Sequence, residues 1–334
     1  MTQILFSGTV LMLAALTLVE LQPAGAHAWR RRVLLGAFLT VLSLPVLVGR
    51  VEAYHWSITY SAALPVTWSK EIPPGSHVLP NALVTLWLAG MGISLARLIW
   101  QWRQAQLFFR RSGELSLDES DLVRKALGPQ LSRVAGRIRT SSDIPGPCVI
   151  PTSSGARILL PSAAFVWDTA AFANVLRHEW EHVRRGDAWW RLLAGVVRAL
   201  WWFHPLAHSL VRRWTEQCEH VCDDAVLRDG ASPAGYARCL LKLATETALP
   251  LPLTFAASSK SRLRRRVESV LQADPQGATR GVVLGWLALV LLVAAAGIAT
   301  ISRVSNTPAD AHQDAVQAEA KTRLEANPFP GNGP

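Results

Sequence analysis

Charged residues are scarce in this sequence. Asp, Glu, Lys and Arg make up only 17% of its 334 residues, whereas soluble domains carry about 25%. Half of the residues are hydrophobic, so part of the chain is expected to lie in lipid. Cysteine is also rare. Four cysteines exclude a disulfide scaffold, because such proteins are short and dense in cysteine.

The hydrophobic residues form four long runs. These candidate membrane helices are residues 4–19, 33–49, 83–100 and 281–301. The last run has about 20 uncharged residues, which at 1.5 Å per residue match a hydrocarbon core of about 30 Å. A cleaved secretory signal is an alternative for the first run, since Ala24-Gly25-Ala26 is typical of a cleavage site. We favour a retained helix, because no basic residue precedes the run.

The positive residues behind the net charge of +10 are concentrated in the predicted cytoplasmic segments. Of the 34 Lys and Arg residues, 25 lie between residues 101 and 280, and Arg30, Arg31 and Arg32 follow the first run. Because short loops rich in Lys and Arg remain on the cytoplasmic side, the N-terminus and the tail are predicted outside and residues 101–280 inside. Membrane topology thus explains the charge without direct binding of nucleic acid.

The predicted organisation has four parts. They are a three-helix membrane region (1–100), a cytoplasmic domain (101–280), a fourth membrane helix (281–301) and a short, disordered external tail (302–334). Within the domain, the β-type runs 148–150 and 157–160 flank a loop suited to a hairpin. After Pro161 the pattern becomes helical.

The chemistry begins with a His-Glu-x-x-His pattern. His178 and His182 are four residues apart in a stretch without Gly or Pro, so both imidazoles project from one helix face and can bind one metal ion. Glu179 stands beside the first His, where its carboxylate can take a proton from water that a zinc ion activates. The alternative is that these side chains are the polar face of a surface helix, and a third ligand decides between the two.

The third ligand is expected between Glu216 and Asp224, the densest cluster of ligand-type residues in the chain. Glu219 and Asp223 are four residues apart and share a helix face. Glu219 can therefore bind the metal while Asp223 accepts the ring N–H of a ligating His. The rival ligands are Cys222, as a thiolate, and His220.

An apolar stretch with two Trp near each end, residues 188–203, joins the two clusters. As a helix it would be about 24 Å long, and we interpret it as lying on or dipping into the cytoplasmic leaflet. A buried core helix is the alternative. His204-Pro205 then begins the helix that carries Glu219.

Together these motifs resemble the BlaR/MecR-type membrane zinc metallopeptidases, the antibiotic-sensor transducers of bacteria. The resemblance rests on His178-Glu179-x-x-His182, Arg184-Arg185-Gly186-Asp187, the Trp-Phe-x-Pro end of the apolar stretch, and Glu219-x-x-Cys222-Asp223. It implies a mostly α membrane protein with four transmembrane helices. A cytoplasmic gluzincin-like α+β zinc metallopeptidase domain is then expected between helices three and four, in a multi-pass protein of the bacterial inner membrane.

The resemblance also implies roles for individual residues. Carried over, the ligands of Zn²⁺ are His178, His182 and Glu219, the catalytic base is Glu179, and Asp223 supports a ligating His. Further candidates for the site are Asp187, Cys222 and His204, the last standing where Asn is expected before the Pro. No Ser-x-x-Lys follows the fourth run, so direct acylation by a β-lactam is not expected.

The function implied is an integral membrane zinc endopeptidase of signal transduction. It would cleave a cytoplasmic winged-helix repressor of the BlaI/MecI type, and also itself. The run Arg157 to Leu160 is expected to pair with extended substrates as an added strand. The lipid bilayer is the other expected partner, and an oligomer is compatible with the sequence. The alternatives are a general quality-control metalloprotease of the membrane, a non-catalytic signalling protein with a vestigial site and, least favoured, a nucleic-acid binder.

Overall fold

The computed structural model describes residues 2–22, 25–62, 78–128, 136–246 and 260–272. Its helices are α1 (Thr2–Glu20), α2 (His27–Ala62), α3 (Val78–Arg111), α4 (Leu117–Leu127), α5 (Thr169–Arg185), α6 (Asp187–Leu200), α7 (Pro205–Arg228), α8 (Pro233–Glu246) and α9 (Lys260–Leu271). Its strands are β1 (Ile138–Ser141), β2 (Cys148–Thr152) and β3 (Gly155–Pro161), and a short 3₁₀ helix (Ser162–Val166) precedes α5. The described part is mostly helical with one small sheet, in agreement with the expected composition of elements.

The first three hydrophobic runs lie within α1, α2 and α3, and the fourth, residues 281–301, lies outside the described residues. By length and composition, the segment Ala82–Arg111 is the one helix of the described part that could cross a membrane. Ile4–Glu20 is apolar but shorter. The four-helix topology, its orientation and the domain boundaries therefore stay predictions.

Helices α1, α2, α6 and α7 share one apolar core. Met12 of α1, Phe38 of α2 and Trp214 of α7 are fully buried in it, and the Phe38 and Trp214 rings lie 5.6 Å apart. Val197 and Trp201 of α6 belong to the same core. The apolar aromatic stretch is thus packed inside the fold, as in the second of its two interpretations, and its depth relative to a bilayer stays a prediction.

The turn between α6 and α7 is wedged between α1 and α3. A Cβ at Gly8 would lie 2.3 Å from the Trp201 ring, and a Cβ at Gly90 would lie 2.2 Å from the Trp202 ring. The Trp202 indole also donates a hydrogen bond to the Trp87 carbonyl at 3.3 Å. Two glycines therefore let the aromatic turn approach the backbones of two N-terminal helices.

The sheet has the strand order β1-β3-β2. β2 and β3 form the expected antiparallel hairpin, and β1, which has no clear signal in the sequence, pairs with β3 in parallel. The expectation that Arg157 to Leu160 pairs with a substrate is wrong. These residues belong to the central strand, and both of its edges already pair with other strands.

The sheet fixes the position of α5. Ile158 and Leu160 of β3 share a buried core with Phe172 and Leu176 of α5. The helix begins after Asp168, whose carboxylate accepts hydrogen bonds from two backbone N–H groups of the first turn, a typical helix cap. Helix α5 is therefore anchored on one face, and residues of its other face are available for chemistry.

Substitution of Gly90 tests the packing of the aromatic turn. Gly90→Ala should lower the free energy of unfolding by about 1–3 kcal/mol, because the new methyl group overlaps the Trp202 ring. The matched control is Gly92→Ala on the same helix, where no atom lies within 4 Å of the added Cβ. Thermal unfolding of both variants in the same detergent measures the difference, and equal stability of the two would contradict this packing.

Candidate metal centre

The two imidazoles of α5 meet on its buried face. The side chains of His178 and His182 are only 7% and 5% exposed, and their rings lie 4.9 Å apart in an edge-to-face arrangement. The four-residue spacing on an α-helix brings the rings to one side, as the sequence predicts.

Glu219 of α7 completes a three-ligand set. Its Oε2 lies 3.5 Å from Nε2 of His178, and its Oε1 lies 3.5 Å from Nε2 of His182. Ligand atoms about 2.1 Å from a tetrahedral ion are separated by about 3.4 Å. The geometry of these donors, two nitrogens and a carboxylate, therefore fits a divalent ion such as zinc. The Glu219 side chain is 19% exposed, more than either imidazole.

Asp223 and Tyr236 lie on the Nδ1 side of the His178 ring, away from the position between His178, His182 and Glu219 that a metal ion would occupy. Asp223 Oδ1 is 3.2 Å from Nδ1 of His178. The Tyr236 hydroxyl of α8 donates to the same carboxylate at 2.7 Å and lies 3.0 Å from Nδ1. A carboxylate only accepts hydrogen bonds, so Nδ1 carries a proton, and Nε2 is the ring nitrogen that would bind a metal once its own proton is displaced.

Asp187 has the equivalent place behind His182. Its Oδ2 accepts a hydrogen bond from Nδ1 of His182 at 2.8 Å, and its side chain is 0% exposed. Gly186 makes this contact possible, because its φ of 66° ends α5 in the left-handed region and starts α6 at once. Asp187, a further candidate from the sequence, thus orients a ring from its Nδ1 side.

Two arginines that the sequence analysis did not assign to the site compensate Glu219. Arg191 of α6 donates to Oε1 at 2.8 Å, and Arg266 of α9 lies 3.1 Å from Oε2. Arg266 also binds both oxygens of Asp223. The sequence does contain a signal for Arg191: it is a charged residue inside an apolar aromatic helix, and a buried charge needs a partner of opposite charge. Arg266 and Tyr236 have no comparable local signal.

These contacts set the charge of the site. Burial alone raises the pKa of Glu219, but Arg266, the hydrogen bond with His178 and the nearby His182 outweigh it and hold the pKa well below its usual range. Burial also raises the pKa of Asp223, and Arg266 again reverses the shift. Burial lowers the pKa of His178, yet its hydrogen bonds with Asp223 and Glu219 raise the pKa to about 9.

The two acids inside the His-Glu-x-x-His motif have different surroundings. Glu181 binds Arg184 and Arg185, so it points away from the ligand set. The charge of Glu179 acts instead on Cys148 and Arg191. Burial and then Glu179 raise the pKa of Cys148 to about 12. Cys148 and Arg191 therefore lie within range of the Glu179 charge.

The remaining candidates lie away from the shared position. Cys222 Sγ is 3.4 Å from Nδ1 of His182, behind the ring, and burial followed by the charge of Asp187 raises its pKa well above the usual value. It therefore stays a neutral thiol. The ring of His220 stacks on His27 at 4.5 Å, so it is turned to the N-terminal helices.

His204 also contacts an N-terminal helix. Its Nε2 lies 2.9 Å from Oγ1 of Thr9 in α1. It precedes Glu219 by fifteen positions, a distance of about 22 Å along α7. His204 therefore stands at the opposite end of the helix that carries Glu219.

The candidate metal centre lies in a region that matches a known peptidase family. The model of the family described as BlaR1 peptidase M56 matches residues 65–270. The chain belongs to this family. Comparison with curated proteins gives no match. Membership makes the chain a metallopeptidase of a membrane-associated family, and the ligand set of α5 and α7 lies inside the matched region of this M56 peptidase.

Proton competition should control metal affinity in this M56 peptidase. Because His178 has a pKa of about 9 in the metal-free protein, zinc must displace a proton below that pH. Zinc affinity should therefore rise about tenfold per pH unit between roughly pH 6 and 8 and level off above about 9. Competition titrations against a chromophoric chelator at several pH values measure this slope, and an affinity independent of pH would contradict the protonated state of His178.

Proposed function

We propose that this chain is an integral membrane zinc endopeptidase that acts in signal transduction by cleaving a cytoplasmic transcriptional repressor. The observation that carries the proposal is the convergence of His178, His182 and Glu219 within reach of one ion. Each ligand has a partner that orients or neutralises it. Such an assembled site argues against a vestigial one, because buried charges are costly unless they are used or compensated.

Zinc is the metal that this donor set favours. Two imidazole nitrogens and one carboxylate oxygen, with room for one further ligand, are typical of catalytic zinc sites. A bound zinc ion would supply the Lewis acidity that activates water and polarises a peptide carbonyl. Asp223 and Asp187 would keep both Nε2 atoms directed at the ion.

The protein's own residues would handle the proton and the substrate. Glu179 would take the proton from the attacking water and return it to the leaving amine. Arg191 would stabilise the substrate carbonyl oxygen, since its buried Nε has no hydrogen-bond partner among the described residues. Its Nη2 meanwhile stays on Glu219.

An apolar cleft beside the metal position supports the choice of substrate. It has a cavity volume of about 70 Å³ between the C-terminal half of α3, strand β2 and helix α6, and its lining residues include Trp102, Ala105, Cys148, Arg191 and Leu192. Arg191 lines the cleft and donates a hydrogen bond to Glu219, so the cleft lies beside the ligand set. A peptide with a large apolar side chain would be accommodated there.

Strand β2 would align such a peptide, in place of β3. It is an edge strand of the sheet. The turn after Thr152 has two residues, so Thr152 and Gly155, which close the turn, form a hydrogen-bonded pair of the β2–β3 ladder. Hydrogen-bonded and non-hydrogen-bonded pairs alternate along an antiparallel ladder. The backbone groups of Val149 and Pro151 therefore point away from β3, toward the free edge of the sheet. Gln106 binds the Pro151 carbonyl, which leaves Val149 to pair with an extended substrate.

The signalling role rests on the family rather than on the geometry. A winged-helix repressor of the BlaI/MecI type remains the proposed substrate, together with the chain itself. A general quality-control protease would use the same residues but would cleave many misfolded membrane proteins. The two functions therefore differ in substrate range and not in the metal centre.

Paired substitutions of the two motif glutamates test the catalysis. Glu179→Gln should lower the rate of repressor cleavage by about 10²- to 10⁴-fold, because the base is lost, with zinc content unchanged. Glu181→Gln is the matched control, since Glu181 binds Arg184 and Arg185 instead. Purified variants are compared on a BlaI/MecI-type repressor and on an unfolded membrane protein. Full activity of Glu179→Gln would overturn the proposed base, and equal cleavage of both substrates would favour quality control.

Filling the cleft tests the substrate preference. Ala105→Phe should lower kcat/KM about tenfold for peptides with Leu or Phe beside the cleaved bond, and much less for peptides with Ala there. Ala96→Phe, at an exposed position of the same helix, controls for the added ring. A parallel loss for both peptide series would show that the cleft does not select the side chain.

A further inference from the structure

Arg31 of α2 reaches the metal centre from the N-terminal part of the chain. Its side chain is 11% exposed, and its Nη2 donates a hydrogen bond to Oδ1 of Asp187. Its Nε lies 3.4 Å from Sγ of Cys218 on α7. The guanidinium group is therefore held between the first residue of α6 and the helix that carries Glu219.

The two oxygens of Asp187 connect Arg31 with a metal ligand. Oδ1 accepts from Arg31 and Oδ2 accepts from Nδ1 of His182. Because Asp187 is completely buried, an ionised carboxylate at this place needs a cation beside it. The other cation near it, Arg191, makes its hydrogen bond with Glu219. Arg31 thus supplies the charge that keeps Asp187 ready to orient His182.

Helix α2 is also attached to α7 beyond this contact. His27 Nδ1 lies 3.0 Å from Oε1 of Gln217, and Phe38 packs against Trp214. Arg31 is thus fixed relative to α7, and a displacement of α2 and α7 relative to α6 would strain the Arg31–Asp187 pair. The bond from Asp187 to His182 is the next one along the same chain of contacts.

We infer that Arg31 is a positioning residue that couples helix α2 to the metal-binding geometry of His182. The inference rests on the proposed zinc peptidase function and adds a route from the N-terminal helices to the site. Arg31 touches neither metal nor substrate, so it acts through Asp187. Its loss should change the ligand field at the metal and the metal affinity, in addition to the rate.

The experiment compares Arg31→Gln with Arg32→Gln in the purified full-length protein. Both variants remove one positive charge from the same helix, but Arg32 is exposed. Arg31→Gln should weaken zinc binding about tenfold, in the range of other losses behind a metal ligand, and shift the visible absorption of the cobalt-substituted protein. Arg32→Gln should match the wild type in both measurements.

A double variant tests the route. Asp187→Asn should weaken zinc binding about 10- to 100-fold. If Arg31 acts through Asp187, adding Arg31→Gln to Asp187→Asn should weaken binding little further. Independent effects would multiply in the double variant, and that result would overturn the inference.

Three further outcomes are decisive. Should Arg31→Gln fail to fold, Arg31→Lys replaces it, because the shorter ammonium cannot reach both Asp187 and Cys218 and should weaken zinc binding about threefold. A lysine variant identical to the wild type in zinc affinity and cobalt spectrum overturns the inference. A wild-type protein that binds no zinc overturns the proposed function itself. Zinc-dependent hydrolysis by the wild type, with Arg31→Gln equal to Arg32→Gln, overturns the inference alone.

Discussion

Charge compensation between α5 and α7 is the constraint on which the metal centre depends. Two imidazoles and a carboxylate approach each other in a buried position, with a second carboxylate behind each ring. Without cations beside them, these carboxylates would repel one another, and their burial would be strongly unfavourable because they lose their hydration. Arg191 and Arg266 neutralise Glu219, and Arg266 neutralises Asp223 as well. The site therefore needs α6 and α9 as much as the two helices that hold the ligands.

The N-terminal helices are part of the same construction. Met12, Phe38 and Trp214 belong to one apolar core, so α1 and α2 are packed directly on α7. At the N-terminal end of α7, the aromatic turn touches α1 and α3 at Gly8 and Gly90, where any side chain would collide. The first half of the helix that carries Glu219 is thus packed against the region expected to lie in the membrane.

Much of the site could be predicted from short sequence patterns, and less of the fold. The hairpin of β2 and β3 follows from two β-type runs around a turn, and the run 157–160 was correctly read as a strand. Its place in the sheet could not be read, because the parallel pairing with β1 depends on a segment twenty residues away with no strong β signal. We therefore propose β2, and not β3, as the edge that pairs with a substrate. Likewise, His204 resembled a site residue by its motif, yet the length of α7 separates it from Glu219.

By itself, the sequence determined which candidate ligands share a helix face, because spacings of four residues on a helix place His178 with His182 and Glu219 with Asp223 on common faces. Helical periodicity is local, and so it can be read from one chain. Only the tertiary structure decided which groups orient and neutralise them. Arg31, Tyr236 and Arg266 come from distant helices, and no local spacing encodes a contact that forms when separate helices bury their charges against one another.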